Sequence, residues 1–342
     1  MSASIKRRAF VKNAGAVAAG LVSTAVGHSA VVDVANDDAE RGKPSPSAAS
    51  GFSVGEPEVR LEMLRPKEIE DRMADCGTLF LPLGTIEWHG LHNIVGLDAV
   101  KAQMLCIRAA QRGGGLVAPP LFGGVGGLDQ PHTFVMEPED QTFSVLLRPW
   151  LEKLVMEAVR QGFKAVIILT GHYGAAQQIV VREVGARLTR CLGIPVLGTP
   201  EYILALDKGY LGDHAAWGET SLMMHLDPPS VDLSRLGDEP HQGVGGRDPK
   251  QFANAEDGRR LTEAIVGRLA RLCREMPGWD ASTLRAFADA EAAIVQRQQE
   301  LAAQMGIVWA AWRNIGNGVL HRYAECLVER RFEEIKAMAE KL

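Results

Sequence analysis

The sequence predicts an α/β fold with a mostly parallel sheet, on three observations. Two short apolar runs rich in branched residues, Thr78 to Leu83 and Ala165 to Leu169, each end at a glycine or turn, and continuous apolarity suits strands covered on both faces. Helical patterns lie between and after these runs, and strand alternating with helix implies right-handed crossovers. Polar clusters stand where each strand would exit, the edge at which such sheets hold ligands.

The N-terminus is set apart first. Lys6-Arg7-Arg8-Ala9-Phe10-Val11-Lys12 precedes an uncharged run from Asn13 to Val32 dominated by Ala, Gly, Ser and Val. This order matches a twin-arginine export signal, and the run is too weakly apolar for a permanent membrane anchor. Residues 1–30 are therefore expected to be a cleaved signal, with periplasmic or secreted localisation. Residues 31–52, rich in Asp, Ser, Pro and Ala, are expected to be a flexible linker to a hydrolase domain over 53–342. Cleavage after Ala30 removes four of the 37 basic residues and none of the 42 acidic ones, leaving a net charge of −9. That charge argues against nucleic acid or anionic membrane as the partner.

Within the domain, helices are expected over Val100 to Gln111 and Leu146 to Gln161. In the second, Leu147, Trp150, Leu151, Leu154, Val155 and Ala158 recur at helical spacing, and Pro149 marks a first turn or a kink. Ala175 to Cys191 reads as a helix leading to a short strand, Ile194 to Leu197. After Pro228 a Gly-, Asp- and Pro-rich stretch precedes amphipathic helices over Arg259 to Arg274 and Leu284 to Met305, read as a helical insertion or appendage around 230–305. Tyr323 to Leu342 reads as one closing helix. The five cysteines are far apart, which argues against a thiolate zinc site and favours free buried thiols over a disulfide.

The chemistry is concentrated in three segments. Glu87 and His89 follow the first strand two residues apart, so on an extended backbone both face one side, and Asp98 can return to the same point. His172 stands in Thr170-Gly171-His172-Tyr173-Gly174 at the exit of the second strand. Asp213-His214 and Glu219-Thr220 precede an apolar helix; Glu219 there could equally be a first-turn residue stabilising the helix by about a kcal/mol. Carboxylates with imidazoles suit Zn, Mn or Fe.

Together these segments resemble the creatininase family, with Glu-x-His-Gly-x-x-His and a following Asp, then Gly-His, then His-Ala and Glu-Thr, in order and spacing from Thr78 to Met224. The resemblance implies a three-layer α/β/α sandwich, a homo-oligomer that is often a hexamer, and two divalent metal ions per chain. By it, Glu87 and His172 bind one ion, His89 and Glu219 the other, and Asp98 bridges them. The departures lie around the substrate. Thr170 and Ala175 replace flanking asparagines, Gly174 stands where creatininase has a ligand Glu, Ala216 replaces a glycine, and the loop at His132 lacks Pro-Gly-Thr.

Such a centre supplies an activated water and polarises a carbonyl, as hydrolysis of a small, cyclic amide requires. His214 is the first candidate for the proton donor to the leaving nitrogen and His132 the second. His92 is expected to orient a ligand, and Trp88, Tyr173 and Trp217 to wall a substrate pocket or pack. Two other readings share the site: a C–C bond or lactone hydrolase acting on a cyclic ketone or keto-sugar, and a non-catalytic metal-binding protein.

Overall fold

The computed structural model describes residues 56–139, 144–308, 310 and 318–342. The expected signal and linker lie outside them. No helix among the described residues is long and apolar enough to cross a membrane.

Five parallel strands make one sheet: β1 (Thr78–Gly84), β2 (Leu116–Val117), β3 (Leu121–Phe122), β4 (Ala165–Thr170) and β5 (Val196–Pro200). The order is β2-β1-β4-β5, with β3 pairing the far end of β1. β1 and β4 are buried along their whole length, the consequence of apolar runs covered on both faces. Pro82, inside β1, costs the ladder nothing. Phe80 and Gly84 accept from Ala118 and Gly123 on the β2/β3 side, so Pro82, of the same parity, faces the gap between those strands.

Helix α1 (Pro66–Asp75) leads into β1, α2 (Leu97–Gly113) leaves it toward β2, and α4 (Ala175–Leu192) leaves β4 toward β5. These crossovers run in opposite directions from the sheet centre. Right-handed crossovers therefore place α2 and α4 on opposite faces, and the chain order reverses between β1 and β4. With α2 pack α5 (Trp217–Leu226) and α7 (Ala255–Glu275); with α4 pack α3 (Leu147–Arg160) and α8 (Ala281–Met305). The result is the three-layer sandwich.

Several boundaries differ from the sequence reading. α2 begins at Leu97, so Asp98 lies in its first turn, where a negative charge suits the helix N-terminus. The third long strand runs over Val196–Pro200 because β4 sets its register, Val166 facing Val196 and Thr170 facing Pro200. The segment read as an insertion or appendage supplies layer helices: after a one-turn α6 (Pro249–Phe252), α7 buries Leu261, Ile265, Leu269 and Cys273, and α8 buries Phe287 and Ile294, in the main core. The closing helix is two, α9 (Tyr323–Val328) and α10 (Phe332–Ala339). Arg330 between them has φ +58°, and Arg331 turns back onto Glu329 at 2.8 Å and Glu334 at 2.7 Å.

Candidate metal centre

The exits of β1 and β4 meet at the point where the strand order reverses. Leaving β1, the chain bends through Glu87 and His89; leaving β4, it places His172 one residue beyond Gly171. Asp98 comes down from α2 between them. The approach is close enough to require glycine on both strands: a Cβ at Gly84 would lie 2.2 Å from the Ala99 nitrogen, and one at Gly171 would lie 2.1 Å from the Asp98 carbonyl.

Two triads result, Glu87–Asp98–His172 and His89–Asp98–Glu219, all five residues buried. Asp98 faces both, its Oδ1 3.1 Å from His89 Nε2 and its Oδ2 3.2 Å from His172 Nδ1. His172 Nδ1 also lies 3.0 Å from Glu87 Oε2, and His89 Nε2 lies 3.7 Å from Glu219 Oε2. The opposite nitrogen of each ring meets a backbone carbonyl, His172 Nε2 that of Val125 at 3.1 Å and His89 Nδ1 that of Glu87 at 2.9 Å. A carbonyl only accepts, so those nitrogens carry hydrogen, and the other nitrogen of each ring faces carboxylates; burial would lower both pKa values, but the carboxylates raise them, His89 to about 9. His89 Nε2 and Glu87 Oε2 are buried without a hydrogen-bond partner. Three buried carboxylates converging on two imidazoles call for positive charge at their centre, and each triad offers mixed nitrogen and oxygen ligands suited to a divalent ion.

The ligands are braced unequally. Glu87 Oε1 accepts from Leu128 N–H at 2.6 Å. Glu219 Oε2 accepts from Ala215 N–H at 2.7 Å, and its Oε1 accepts from Lys101 Nζ at 2.5 Å. Lys101, fully buried one turn after Asp98, also reaches Glu201 Oε1 at 2.8 Å and donates to the Tyr173 hydroxyl at 2.7 Å. Burial would lower its pKa, but Glu201 and Glu219 raise it, so it stays charged. Tyr173 in turn contacts the Tyr210 hydroxyl at 2.7 Å.

His214 stacks on His89 with ring centroids 4.4 Å apart, and its Nε2 lies 2.7 Å from the Trp88 carbonyl. Burial and the neighbouring His89 lower its pKa. His214 is therefore neutral, with Nε2 donating to that carbonyl and a lone pair left on Nδ1. His92 meets the Ala215 carbonyl and Thr220 Oγ1, both at 3.0 Å, and burial pushes it down to about 4. It braces the segment carrying His214 and Glu219 rather than touching a ligand.

A cavity of about 230 Å³ opens on the centre, walled by Leu128, Glu139, Tyr173, Asp213, His214 and Val308 together with Glu87, Asp98, His172 and Glu219. His132 does not reach it. The turn at Gln130 to Thr133 sends His132 to solvent with φ +65°, while Thr133 and Phe134 dock the loop on Trp88 and Ile86. Trp217 is likewise outside the wall; its indole donates to Asp257 at 3.0 Å and packs on Tyr210. Trp88 donates to the Gln242 carbonyl at 2.9 Å.

Lys101, Glu139 and Glu201 were not singled out from the sequence. Lys101 had one available signal, a lysine three residues after Asp98 on the face that carries Leu97, Leu105 and Cys106. Asp213 is held by Gly218 N–H at 2.6 Å and Glu219 N–H at 3.0 Å, and burial and the Glu219 charge push it up to about 7.

The Creatininase family profile, described as creatinine amidohydrolase, matches residues 62–273. A creatinine amidohydrolase of Pseudomonas putida is 32% identical over 199 residues, spanning 51% of this chain and 74% of that one. A solved mutant creatininase of Zn-Zn type superposes with TM-score 0.54 at 26% identity over 65% of this chain and 99% of the other. A creatininase described with Mn gives TM-score 0.54 at 27% identity over 65% and 100% of the two chains.

Proposed function

We propose, for a chain that belongs to the creatininase family of metal-dependent amidohydrolases, that it hydrolyses the C–N bond of a small cyclic amide other than creatinine. The observation that carries this reading is the doubled triad sharing Asp98. Glu87 and His172 would hold one divalent ion, His89 and Glu219 the other, with Asp98 between them; zinc and manganese suit these donors. Bound there, the ions would activate a water near neutral pH and polarise the substrate carbonyl.

The residues of the chain supply the rest. His214, neutral with a free Nδ1 on the cavity wall, can take the proton of the attacking water and return it to the leaving nitrogen. Glu139, anchored through Oε1 by Ala175 N–H at 2.6 Å, adds a carboxylate to the wall. An acceptor there suits the N–H of an amide, which a lactone or cyclic ketone lacks. Gly174 argues against creatinine itself. A Cβ at that position would lie 2.2 Å from the Val125 carbonyl, leaving no room for the glutamate that creatininase carries.

The test combines elemental analysis with a panel of cyclic amides, creatinine, lactones and keto-sugars. About two ions per chain and turnover of a non-creatinine cyclic amide are expected. Turnover confined to lactones or ketones would overturn the bond assignment, and creatinine hydrolysis with kcat/KM of about 10⁴ M⁻¹s⁻¹ or more would overturn the substrate assignment. Export by the twin-arginine route rests on Arg7-Arg8; replacing both with lysine should retain the protein in the cytoplasm, and unchanged periplasmic recovery would refute it. Exposed Phe122, Phe134, Met136 and Trp150 support a homo-oligomer, to be checked by light scattering.

A further inference from the structure

At the opposite end of β1 from the metal centre, two cysteines far apart in sequence touch. Cys76 lies between α1 and β1, and Cys273 lies in the last turn of α7. Their sulfurs are 3.6 Å apart, and the Cys76 thiol also approaches the Cys273 carbonyl at 3.4 Å. Thr78 Oγ1 donates to that carbonyl at 2.7 Å and fixes the end of α7 against the strand. Cys76 forms part of the wall of a surface recess of about 360 Å³ beside Lys164 and Arg274, whereas Cys273 is not among its lining residues. No other cysteine pair among the described residues is in contact.

We propose that Cys76 and Cys273 are a redox-active dithiol that closes to a disulfide by exchange with a small-molecule disulfide entering the recess. The Cys76 thiolate attacks one sulfur of the incoming RS–SR, forming a mixed disulfide and expelling RS⁻. Cys273 gives its proton to the expelled thiolate and attacks Cys76 Sγ, releasing the second RS⁻, which takes a proton from water. Two protein thiols are oxidised and one small disulfide is reduced to two thiols.

The division of roles follows from position and charge. Cys76 is reached from the recess, which Asp75, Lys164 and Arg274 also line. The hydrogen bond from Cys273 lowers the Cys76 pKa against the opposing effects of burial and the Asp75 charge, while the same contact and burial raise that of Cys273. Closing the bond needs the sulfurs to approach by about 1.5 Å, within reach of side-chain rotation from a van der Waals contact. An exported protein would meet the oxidising compartment in which such a bond persists. That compartment rests on the proposed export, but β1 separates the pair from the metal ligands by about 20 Å, so the inference does not depend on the proposed hydrolysis.

The full-length protein is incubated with oxidised glutathione, free thiols are counted, and non-reduced peptides are mapped by mass spectrometry. Loss of two thiols, a peptide joining Cys76 to Cys273, two glutathiones released per chain, and a Tm higher by about 5 °C that dithiothreitol reverses are expected. Cys273→Ser should trap glutathione on Cys76, and Cys191→Ser, which removes an exposed thiol, should leave the cross-link intact. Modification confined to Cys191 in the unaltered protein, with no Cys76–Cys273 peptide, would overturn the proposal without recourse to any variant. Metal content should stay unchanged throughout; a loss on oxidation would refute the separation of the two regions.

Discussion

The two halves of the metal centre share Asp98 and use the same pair of donor types, yet different parts of the molecule hold them. In the Glu87–His172 half, both ligands lean on one glycine-rich loop, Glu87 on Leu128 N–H at 2.6 Å and His172 on the Val125 carbonyl at 3.1 Å. In the His89–Glu219 half, Glu219 is tied to Ala215 N–H and to Lys101, a cation sealed in the core with Glu201 and Tyr173. Like chemistry with unlike support teaches that affinity at the two positions is set by what stands behind the ligands as much as by the ligands. The core-braced half is preorganised before any ion arrives; the loop-braced half is as firm as its loop.

The largest expected effect abolishes the comparison. Asp98→Ala removes a donor from both halves, so both ions should be lost and kcat should fall roughly 10³-fold or more, a barrier increase on the order of 4 kcal/mol; retention of one full equivalent by elemental analysis would show that Asp98 does not bridge. Next, Lys101→Met should weaken the ion at His89–Glu219 about 10- to 100-fold and lower unfolding stability by about 3 kcal/mol, since Glu201 and Glu219 lose their shared cation. The other ion should be unaffected by titration calorimetry, and equal loss from both positions would break the distinction.

Leu128→Pro deletes the backbone donor to Glu87 and should act in the opposite sense. It is expected to weaken only the loop-braced ion, by about tenfold, with little change in denaturation midpoint because Leu128 is not in the core. The smallest effect needs no mutation: a chromogenic chelator should strip the unaltered protein in two phases, the loop-braced ion leaving first, and only that faster phase should move in Leu128→Pro. A single phase releasing both ions together would make the halves equivalent.

The five residues of the triads were legible in the sequence because each stands at a strand exit or helix start beside unusual polar neighbours. β1 and β4 were legible for the same reason they are buried, in unbroken apolar runs, whereas β2 and β3, two residues each, carry too short a pattern to be read. The supports were not. The Leu128 amide and the Val125 carbonyl are backbone groups that no residue type announces, and Lys101 reads as an ordinary solvated lysine until Glu201, Tyr173 and Glu219 of α5 gather around it. His132 failed as a site candidate because a left-handed turn, invisible in composition, points it outward. The closing helix was split by a similar turn at Arg330, in a stretch whose charges alone fit a continuous surface helix.

Gly84 and Gly171 give the centre a further property. The bridging carboxylate reaches its place through a gap that exists only because two strand ends carry no side chain, with 2.2 Å and 2.1 Å the separations a methyl group would impose. A side chain at either point would push α2 and Asp98 away from the strand exits, a constraint that wall residues such as Leu128 and Glu139 do not share. The position of Asp98 is thereby tied to two glycines, while the cavity wall is built in part from loop side chains that lie apart from that contact.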